Sequence, residues 1–300
     1  MQKKLIVIVG PTASGKTALS IELAKRLHTE IISADSRQFY KEMNIGTAKP
    51  SVEELKTIKH HFINNLGIQD YFSAGDFERA AMQCLDNLFQ THAHVLLCGG
   101  SGLYIQALCE GMTEMPAADL KLRVQLEQDY QNLGIEFLQK KLTALNPEKL
   151  KQIDILNPQR LMRAIEMETQ KIDLTNPKLT RPFEILKFGI EMDRALLYKR
   201  INERVDQMIS AGLLEEARDL FPQRQLNALQ TVGYKELFDY FSNECNLAFA
   251  IDKIKQHSRN YAKRQMTWFK RDQQIQWIEA KNNTEMADEI MNTIENQKID

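Results

Sequence analysis

Apolar and polar positions alternate in a strand–helix rhythm along the first third of the chain. Leu5-Ile6-Val7-Ile8-Val9 is a continuous, largely β-branched run, the pattern of a strand buried on both faces. Residues 18–24 have helical spacing, and Glu30-Ile31-Ile32-Ser33-Ala34-Asp35-Ser36 reads as a short strand ending in polar residues. Residues 51–61 and 76–91 read as helices. His94-Val95-Leu96-Leu97-Cys98 reads as a third strand running into Gly99-Gly100-Ser101-Gly102-Leu103-Tyr104. Strands alternating with helices predict a parallel sheet with crossover helices. Ligands then belong beyond the carboxyl ends of the strands. From Met115 to Glu184 the pattern changes to helices with polar faces, punctuated by Pro116, Pro147, Pro158, Pro177 and Pro182. Phe188-Gly189-Ile190-Glu191-Met192 reads as another core strand. The rest is mainly helical, and residues from Lys281 on form a polar helix or tail.

Between the first strand and its helix lies Gly10-Pro11-Thr12-Ala13-Ser14-Gly15-Lys16-Thr17, the pattern G-x-x-x-x-G-K-T. Strand, glycine loop and helix form the context in which backbone N–H groups converge on a phosphate at a helix N-terminus. Lys16 adds a point charge, and the Thr17 hydroxyl is placed to ligate Mg²⁺. Such a loop marks nucleotide- and ATP-binding proteins, and it points to a diphosphate or triphosphate without naming the reaction. The expected fold is therefore α/β: a P-loop NTPase-like parallel sheet flanked by helices. Residues 1–115 and 186–300 form the core, and 116–185 form a helical insertion domain.

Other segments carry candidate chemistry. Asp35 ends the second strand on the ligand edge, as a general base, as a water-mediated Mg²⁺ partner, or as a turn aspartate. The third strand ends in Cys98-Gly99-Gly100 where P-loop ATPases and GTPases carry an acid supporting Mg²⁺. Its glycines suit a second anion-binding helix start or close strand–helix packing equally. Arg160 and Arg163, in Asn157-Pro158-Gln159-Arg160-Leu161-Met162-Arg163-Ala164, share a helix face that clamps phosphate or merely meets solvent. No acid occurs between Lys253 and Arg271, where Lys253, Lys255, Arg259, Lys263, Arg264, Lys270 and Arg271 interleave with His257, Tyr261, Trp268 and Phe269. That composition favours RNA over a solvated face. His60-His61 lacks partners at zinc spacing and reads as packing. Gly46-Thr47-Ala48-Lys49-Pro50 reads as a polar loop beside the cleft.

The bulk properties narrow the classes. The 300 residues are 43% hydrophobic and 26% charged with a net charge of −1, so nucleic-acid affinity must come from local clustering. The four cysteines form no C-x-x-C pair, and Cys84 and Cys98 lie in apolar runs, as expected of reduced thiols. The N-terminus enters the first strand at once, without a signal peptide, and no apolar run reaches membrane-spanning length. A cytoplasmic protein without membrane partners is expected.

Taken together, several segments resemble the bacterial tRNA dimethylallyltransferases: Gly10–Thr17, Ser33-Ala34-Asp35-Ser36, Ile45-Gly46-Thr47-Ala48-Lys49-Pro50, Gly99–Tyr104 and Asn157-Pro158-Gln159-Arg160. Thr231-Val232-Gly233-Tyr234-Lys235-Glu236 and Ala262-Lys263-Arg264-Gln265-Met266-Thr267-Trp268 resemble the family's C-terminal motifs. The resemblance spans nearly the whole chain. It implies transfer of a dimethylallyl group from dimethylallyl diphosphate to N6 of the adenosine 3′-adjacent to the anticodon, with Mg²⁺ as cofactor and no phosphoryl transfer. It implies that Asp35, Ser101 and Lys16 are catalytic, with Asp35 taking the N6 proton. Gly10, Pro11, Thr12, Ala13, Ser14, Gly15, Lys16, Thr17 and Arg218 would hold the diphosphate, and Thr17 the metal. Asp35, Ser36, Arg37, Gln38, Ser101, Arg123, Gln159, Arg160, Leu161, Met162 and Arg163 would meet the tRNA anticodon stem-loop, joined by the basic pair Lys263 and Arg264. A monomer is expected. Ser101 stands where threonine is usual, Phe39 where a smaller aliphatic residue is common, and the zinc-finger extension of eukaryotic relatives has no counterpart. Two other readings of the loop are a small-molecule or nucleoside kinase and a nucleotide-switched RNA-binding protein.

Overall fold

A computed structural model describes residues 2–112, 119–171 and 180–296. The chain opens with β1 (Lys4–Val9), α1 (Lys16–Leu27), β2 (Ile31–Ala34), α2 (Val52–Thr57), β3 (His60–His61), α3 (Ala74–Leu88), β4 (His94–Gly99) and α4 (Gly102–Glu110). Four helices follow: α5 (Leu120–Leu133), α6 (Ile135–Leu145), α7 (Pro147–Leu150) and α8 (Pro158–Thr169). The chain then runs through β5 (Glu184–Glu191), α9 (Arg194–Ser210), α10 (Leu213–Leu220), two 3₁₀ turns, α11 (Tyr234–Phe241), α12 (Leu247–Phe269), β6 (Ile275–Glu279) and α13 (Asn283–Asn296). It divides into one compact unit of Met1–Gly111 with Thr180–Asp300, and a second of Met112–Leu179.

In the first unit six parallel strands lie in the order β3-β2-β4-β1-β5-β6. Every residue of the central strand β1 is buried, which is why it reads as an unbroken apolar run. Register places Val9 beside Gly99 and Gly99 beside Ala34. The residues that follow, Gly10, Asp35 and Gly100, therefore start from one level at the carboxyl edge. The sheet's two faces are covered separately. Leu5, Val7 and Leu97 pack with Phe39, Phe77 and Leu108 on one side, and Ile6, Ile8 and Leu96 with Leu19, Leu23 and Ile290 on the other. Phe39 is fully buried among Phe62, Phe72, Phe77 and Tyr104. Its bulk fills the core.

Several boundaries differ from the sequence expectations. The helix expected over 51–61 starts with a Ser51–Glu54 capping box but stops at Thr57, because Ile58 turns extended and carries His60 into pairing with Ile31. The next helix starts two residues earlier than expected, at Ala74, where Ser73 and Asp76 form a second capping box. Strand β5 begins at Glu184, ahead of the apolar signal at Phe188. Its lysine, Lys187, looks like a surface residue yet is 5% exposed and pairs with Asp272 at 2.6 Å. The helical unit therefore ends at Leu179, not at 185, and it starts at Met112, not at 116. Strand β6, a short edge strand that buries Ile275 and Ile278, lies in a stretch that the sequence reading took as mainly helical. Pro116 and Pro177 lie outside the described residues. The polar C-terminal stretch is helix α13, which buries Met286, Ala287, Ile290 and Ile294.

The second unit packs Leu126, Leu138, Leu142, Leu161, Met162, Ala164 and Ile165 into its own core. Helix α8 starts at Asn157, whose side chain accepts the Arg160 N–H, with Pro158 preset for the first turn. Within this unit Glu166 is fully buried and accepts from the Asp119 N–H at 2.8 Å, from Arg123 at 2.8 Å and from Arg163 at 2.5 Å. Burial alone would push its carboxyl up, but these hydrogen bonds outweigh burial and hold it below the ordinary value. Glu166 thus stabilises the unit at neutral pH, and that contribution is lost as pH falls through the folded-state value. We expect Glu166→Gln to cost about 3 kcal/mol, the low end for breaking a buried ion pair, since both arginines keep some solvent contact. Amide hydrogen exchange over α5 to α8 in the full chain reads this as lost protection. Unchanged protection at neutral pH would show that the carboxylate contributes nothing.

Candidate functional site

The loop after β1 is built to expose backbone N–H groups. Ala13 and Gly15 take left-handed conformations with φ of 63° and 95°, and Lys16 begins α1 directly behind them. Successive residues of this kind make an anion-binding concavity at a helix N-terminus. Lys16 Nζ donates to the Pro11 carbonyl at 2.7 Å, curled over its own loop. Enclosure by the cleft lowers its pKa to about 8. Cys98 and Asp35 act against that shift and the Arg204 guanidinium adds to it.

Lys16, Thr12 and Thr17 share one cleft with Ser33, Asp35, Gln38, Cys98, Gly99, Gly100, Arg204, Tyr261 and Gln265, and its walls continue to Ile31, Ala48, Pro50 and His60. Asp35 Oδ1 accepts the Arg37 N–H at 3.0 Å, so the turn role is real. Oδ2 has no protein hydrogen bond among the described residues and is available to a ligand. Ser101 Oγ accepts the Ser36 N–H at 2.9 Å and lies 3.2 Å from the Ser36 hydroxyl. It also bonds the Tyr261 hydroxyl, which burial and the Asp35 charge push up to about 12. Cys98 lines the cleft as a thiol that burial keeps protonated, so it does not replace the missing acid. Among the described residues no three His, Cys, Asp or Glu side chains gather to hold a metal. The donor set is a Thr17 hydroxyl plus Asp35, which suits a Mg²⁺ ion that takes most of its ligands from substrate phosphate and water.

Two cleft residues escaped the sequence reading. Arg204, on α9, faces Asp35 across the cleft. It makes no hydrogen bond or ion pair among the described residues, and burial lowers its pKa against the pull of Asp35. Its signal was faint: a single arginine beside Val205 on the flank of the buried stripe Leu197, Ile201, Val205. Gln265, on α12, accepts the Thr12 N–H at 2.8 Å and donates to the Gly100 carbonyl at 2.9 Å, joining the phosphate loop to the glycine turn. At 6% exposure, its burial inside a basic segment was the clue available.

Other expected residues fall elsewhere. Arg218 is exposed on α10, 5.4 Å from the Phe241 ring, and does not line the cleft. The helix turns Glu216 inward and Arg218, two positions on, outward. Leu161 and Met162, 0% and 5% exposed, are core residues of the second unit and present no side chain to RNA. Arg123 and Arg163 are tied to Glu166 there, whereas Gln159 and Arg160 are exposed. Arg37 is anchored to the Asn227 and Ala228 carbonyls at 3.1 Å, and Gln38 to those of Thr47 and Ala48 at 3.2 Å. Lys255 on α12 pairs with Asp206 at 2.7 Å, and Lys270, just past the helix, with Glu191 at 3.1 Å, so acids from other elements neutralise part of the acid-free run. Lys263 and Arg264 stay exposed without an ion pair among the described residues. Tyr261 and Trp268 are 36% and 37% exposed, although the Tyr261 hydroxyl end is enclosed where it bonds Ser101. His60 lines the cleft, kept neutral by burial, with Nδ1 donating to the Ile58 carbonyl at 2.8 Å. The four thiols are all free. Among the described residues no helix is long and apolar enough to cross a membrane.

The model of the IPP transferase family matches residues 38–272. A tRNA dimethylallyltransferase of Christiangramia forsetii is 50% identical over 95% of this chain and 96% of its own length. tRNA dimethylallyltransferase 1 of Bacteroides fragilis is 47% identical over 97% and 99%. The crystal structure of the full-length tRNA isopentenylpyrophosphate transferase of Bacillus halodurans superposes with a TM-score of 0.74 at 37% identity, covering 98% of this chain and 96% of that one.

The lowered pKa of Lys16 yields a pH test. An anion on the loop needs the protonated amine. Affinity for an alkyl diphosphate should therefore hold up to about pH 8 and fall above it, as free protein must first take up a proton. Calorimetric titration across that range checks the expectation. In Lys16→Ala the affinity should drop about tenfold or more and the fall above that pH should vanish. An identical pH profile in the variant would acquit Lys16 of the role.

Proposed function

The chain belongs to the IPP transferase family, and from that premise we propose that it transfers a dimethylallyl group from dimethylallyl diphosphate to N6 of the adenosine 3′-adjacent to the anticodon of a tRNA. The products are N6-isopentenyladenosine and diphosphate. One observation carries this reading: an anion-binding loop and a carboxylate with a free oxygen line the same cleft, while the strand beside them ends in Cys98-Gly99-Gly100. A diphosphate has a seat there and a proton has an acceptor. The acid that supports Mg²⁺ in phosphoryl transfer is missing.

The chemistry follows from these groups. The lone pair of the adenine amine is delocalised into the ring, so N6 attacks poorly until a base takes its proton. Asp35 Oδ2 accepts that proton as the N6–C1 bond forms. The C1–O bond breaks at the same carbon, and its electrons leave with the diphosphate. Lys16 remains cationic near neutral pH, below its pKa of about 8, and with Arg204 and the loop N–H groups stabilises the charge gathering on the leaving group. Mg²⁺, held by Thr17 and the diphosphate oxygens, would supply further neutralisation of that charge. The adenine must leave its stack to reach the cleft, and a single-stranded anticodon loop makes this cheap. Lys263 and Arg264 suit the phosphates of that loop. The protein acts as a cytoplasmic monomer in this reading.

The decisive experiment is mass spectrometry of nucleosides from tRNA incubated with the protein, Mg²⁺ and dimethylallyl diphosphate in ATP-free buffer. Prenylated adenosine is expected. An absolute requirement for ATP, or inorganic phosphate released in step with product, would revive the kinase. Unmodified RNA that nevertheless binds would favour the nucleotide-switched binding protein. Asp35→Asn should bind tRNA nearly as the parent does and lose roughly a hundredfold or more in turnover; near-normal turnover would remove it from the base role. Replacing Lys263 and Arg264 by alanine should weaken tRNA binding, flatten its salt dependence and leave use of the prenyl diphosphate intact. An unchanged salt slope would exclude the pair from the RNA contact.

A further inference from the structure

One of the irregular segments lining the cleft is gripped from a distance. It is the loop from Asn44 to Pro50, which contributes Ala48 and Pro50. Within it the Thr47 hydroxyl bonds the Met43 and Asn44 carbonyls and the Ala48 N–H the Ile45 carbonyl, but its first three N–H groups are satisfied from outside. Ala48 sits in the left-handed region with φ 46°, which a residue with a Cβ occupies only where surroundings impose it. Three consecutive N–H groups, those of Asn44, Ile45 and Gly46, point at a single carboxylate. Glu216 Oε2 accepts the first two at 3.0 and 2.8 Å and Oε1 the third at 3.0 Å. The same Oε1 accepts the Tyr234 hydroxyl at 2.7 Å.

Tyr234 is fully buried, and a Cβ on Gly46 would lie 2.6 Å from its ring, so the loop lies flat against it and tolerates no side chain there. From the inner side Gln38 donates to the Thr47 and Ala48 carbonyls at 3.2 Å. The Gln38 N–H bonds the Asp35 carbonyl at 3.1 Å, so the loop is indexed to the segment that carries the base. Glu216 comes from α10, about 170 residues along the chain from the loop it grips. No local preference of the loop reproduces the tie.

We propose that Glu216 is a positioning residue for the prenyl donor. Its carboxylate sets the 44–50 loop, whose Ala48 and Pro50 wall the cleft, and so limits the length of prenyl chain that the cleft admits. This rests on the prenyl-transfer reading above. Ile31 and His60 line the same cleft as Ala48 and Pro50. A longer chain needs more room, and this loop is the lining segment whose backbone N–H groups are held by a carboxylate from far along the chain. With the carboxylate removed, three loop N–H groups lose their acceptor and the wall can move.

The test compares dimethylallyl with geranyl diphosphate as donors to an anticodon stem-loop, using the full chain and three variants. The parent should prefer the shorter donor by at least about a hundredfold in kcat/KM. In Glu216→Gln, which keeps shape but turns an amide towards the loop N–H groups, KM for dimethylallyl diphosphate should rise about tenfold and the preference should shrink about as much. KM for RNA should stay within about twofold. Tyr234→Phe removes one of the four bonds and should move the preference in the same direction. Ala48→Gly suits the left-handed backbone, trims the wall by one methyl and should also relax the preference; it stands in if Glu216→Gln does not fold. A merely structural Glu216 would lower the melting temperature and the active fraction but leave KM and the donor ratio alone. Transfer with an unchanged ratio in the variants overturns this proposal alone. No transfer by the parent overturns the prenyl reading, and this one with it.

Discussion

The ligand edge depends on how closely two strand ends approach. At the carboxyl end of β4 the backbone passes so near β2 that a Cβ on Gly99 would collide with the Ala34 carbonyl. Only glycine permits that approach. It brings Ser101 within bonding distance of Ser36, sets Asp35 beside the glycine turn, and lets Gln265 reach from the Gly100 carbonyl to the Thr12 N–H. Gly99 thus serves strand-on-strand packing, which the sequence reading did not foresee. Gly100 and Gly102 lie against Gln265 and Trp268 of α12, the close packing against a helix that was one of the two readings of the glycine turn. The second anion seat of the other reading is weakened, because the Ser101 hydroxyl is already occupied by protein partners.

The cleft that results is chemically asymmetric. Two cations, Lys16 and Arg204, stand against one carboxylate, Asp35, and the position of a metal-supporting acid is filled by a protonated thiol. Excess positive charge in a confined site attracts a compact polyanion more than a neutral substrate. Enclosure in the cleft, with a smaller push from Arg204, is why the Lys16 pKa sits near the neutral range. Charge balance is reached only with an anion in place, and a departing diphosphate gains from the same groups that bound it.

Most of the architecture was legible from periodicity. The buried strands β1 and β4 sit in unbroken apolar runs, and G-x-x-x-x-G-K-T marks its own strand–loop–helix context. What misled were residues whose surroundings come from far away. The apolar signal began at Phe188 although β5 starts at Glu184 with Lys187 held inside by Asp272, and the 51–61 helix lost its last turn to pairing along β2. Arg218 looked like an anion ligand until the helix phase turned it out, while Arg204 went unnoticed because nothing local distinguishes it.

By itself the amino-acid order determined the parallel α/β core, the phosphate loop, the carboxylate at the end of β2 and the presence of a helical insertion. All of these rest on contacts between neighbours in the chain or on the period of apolar positions. The tertiary structure alone decided which cations face the cleft, which members of the acid-free helix are neutralised, and how the Asn44–Pro50 wall is held. Each of those depends on a partner many tens of residues away, such as Asp206 for Lys255 or Glu216 for the loop. A charge pattern read along one segment cannot include the acids that other segments fold against it.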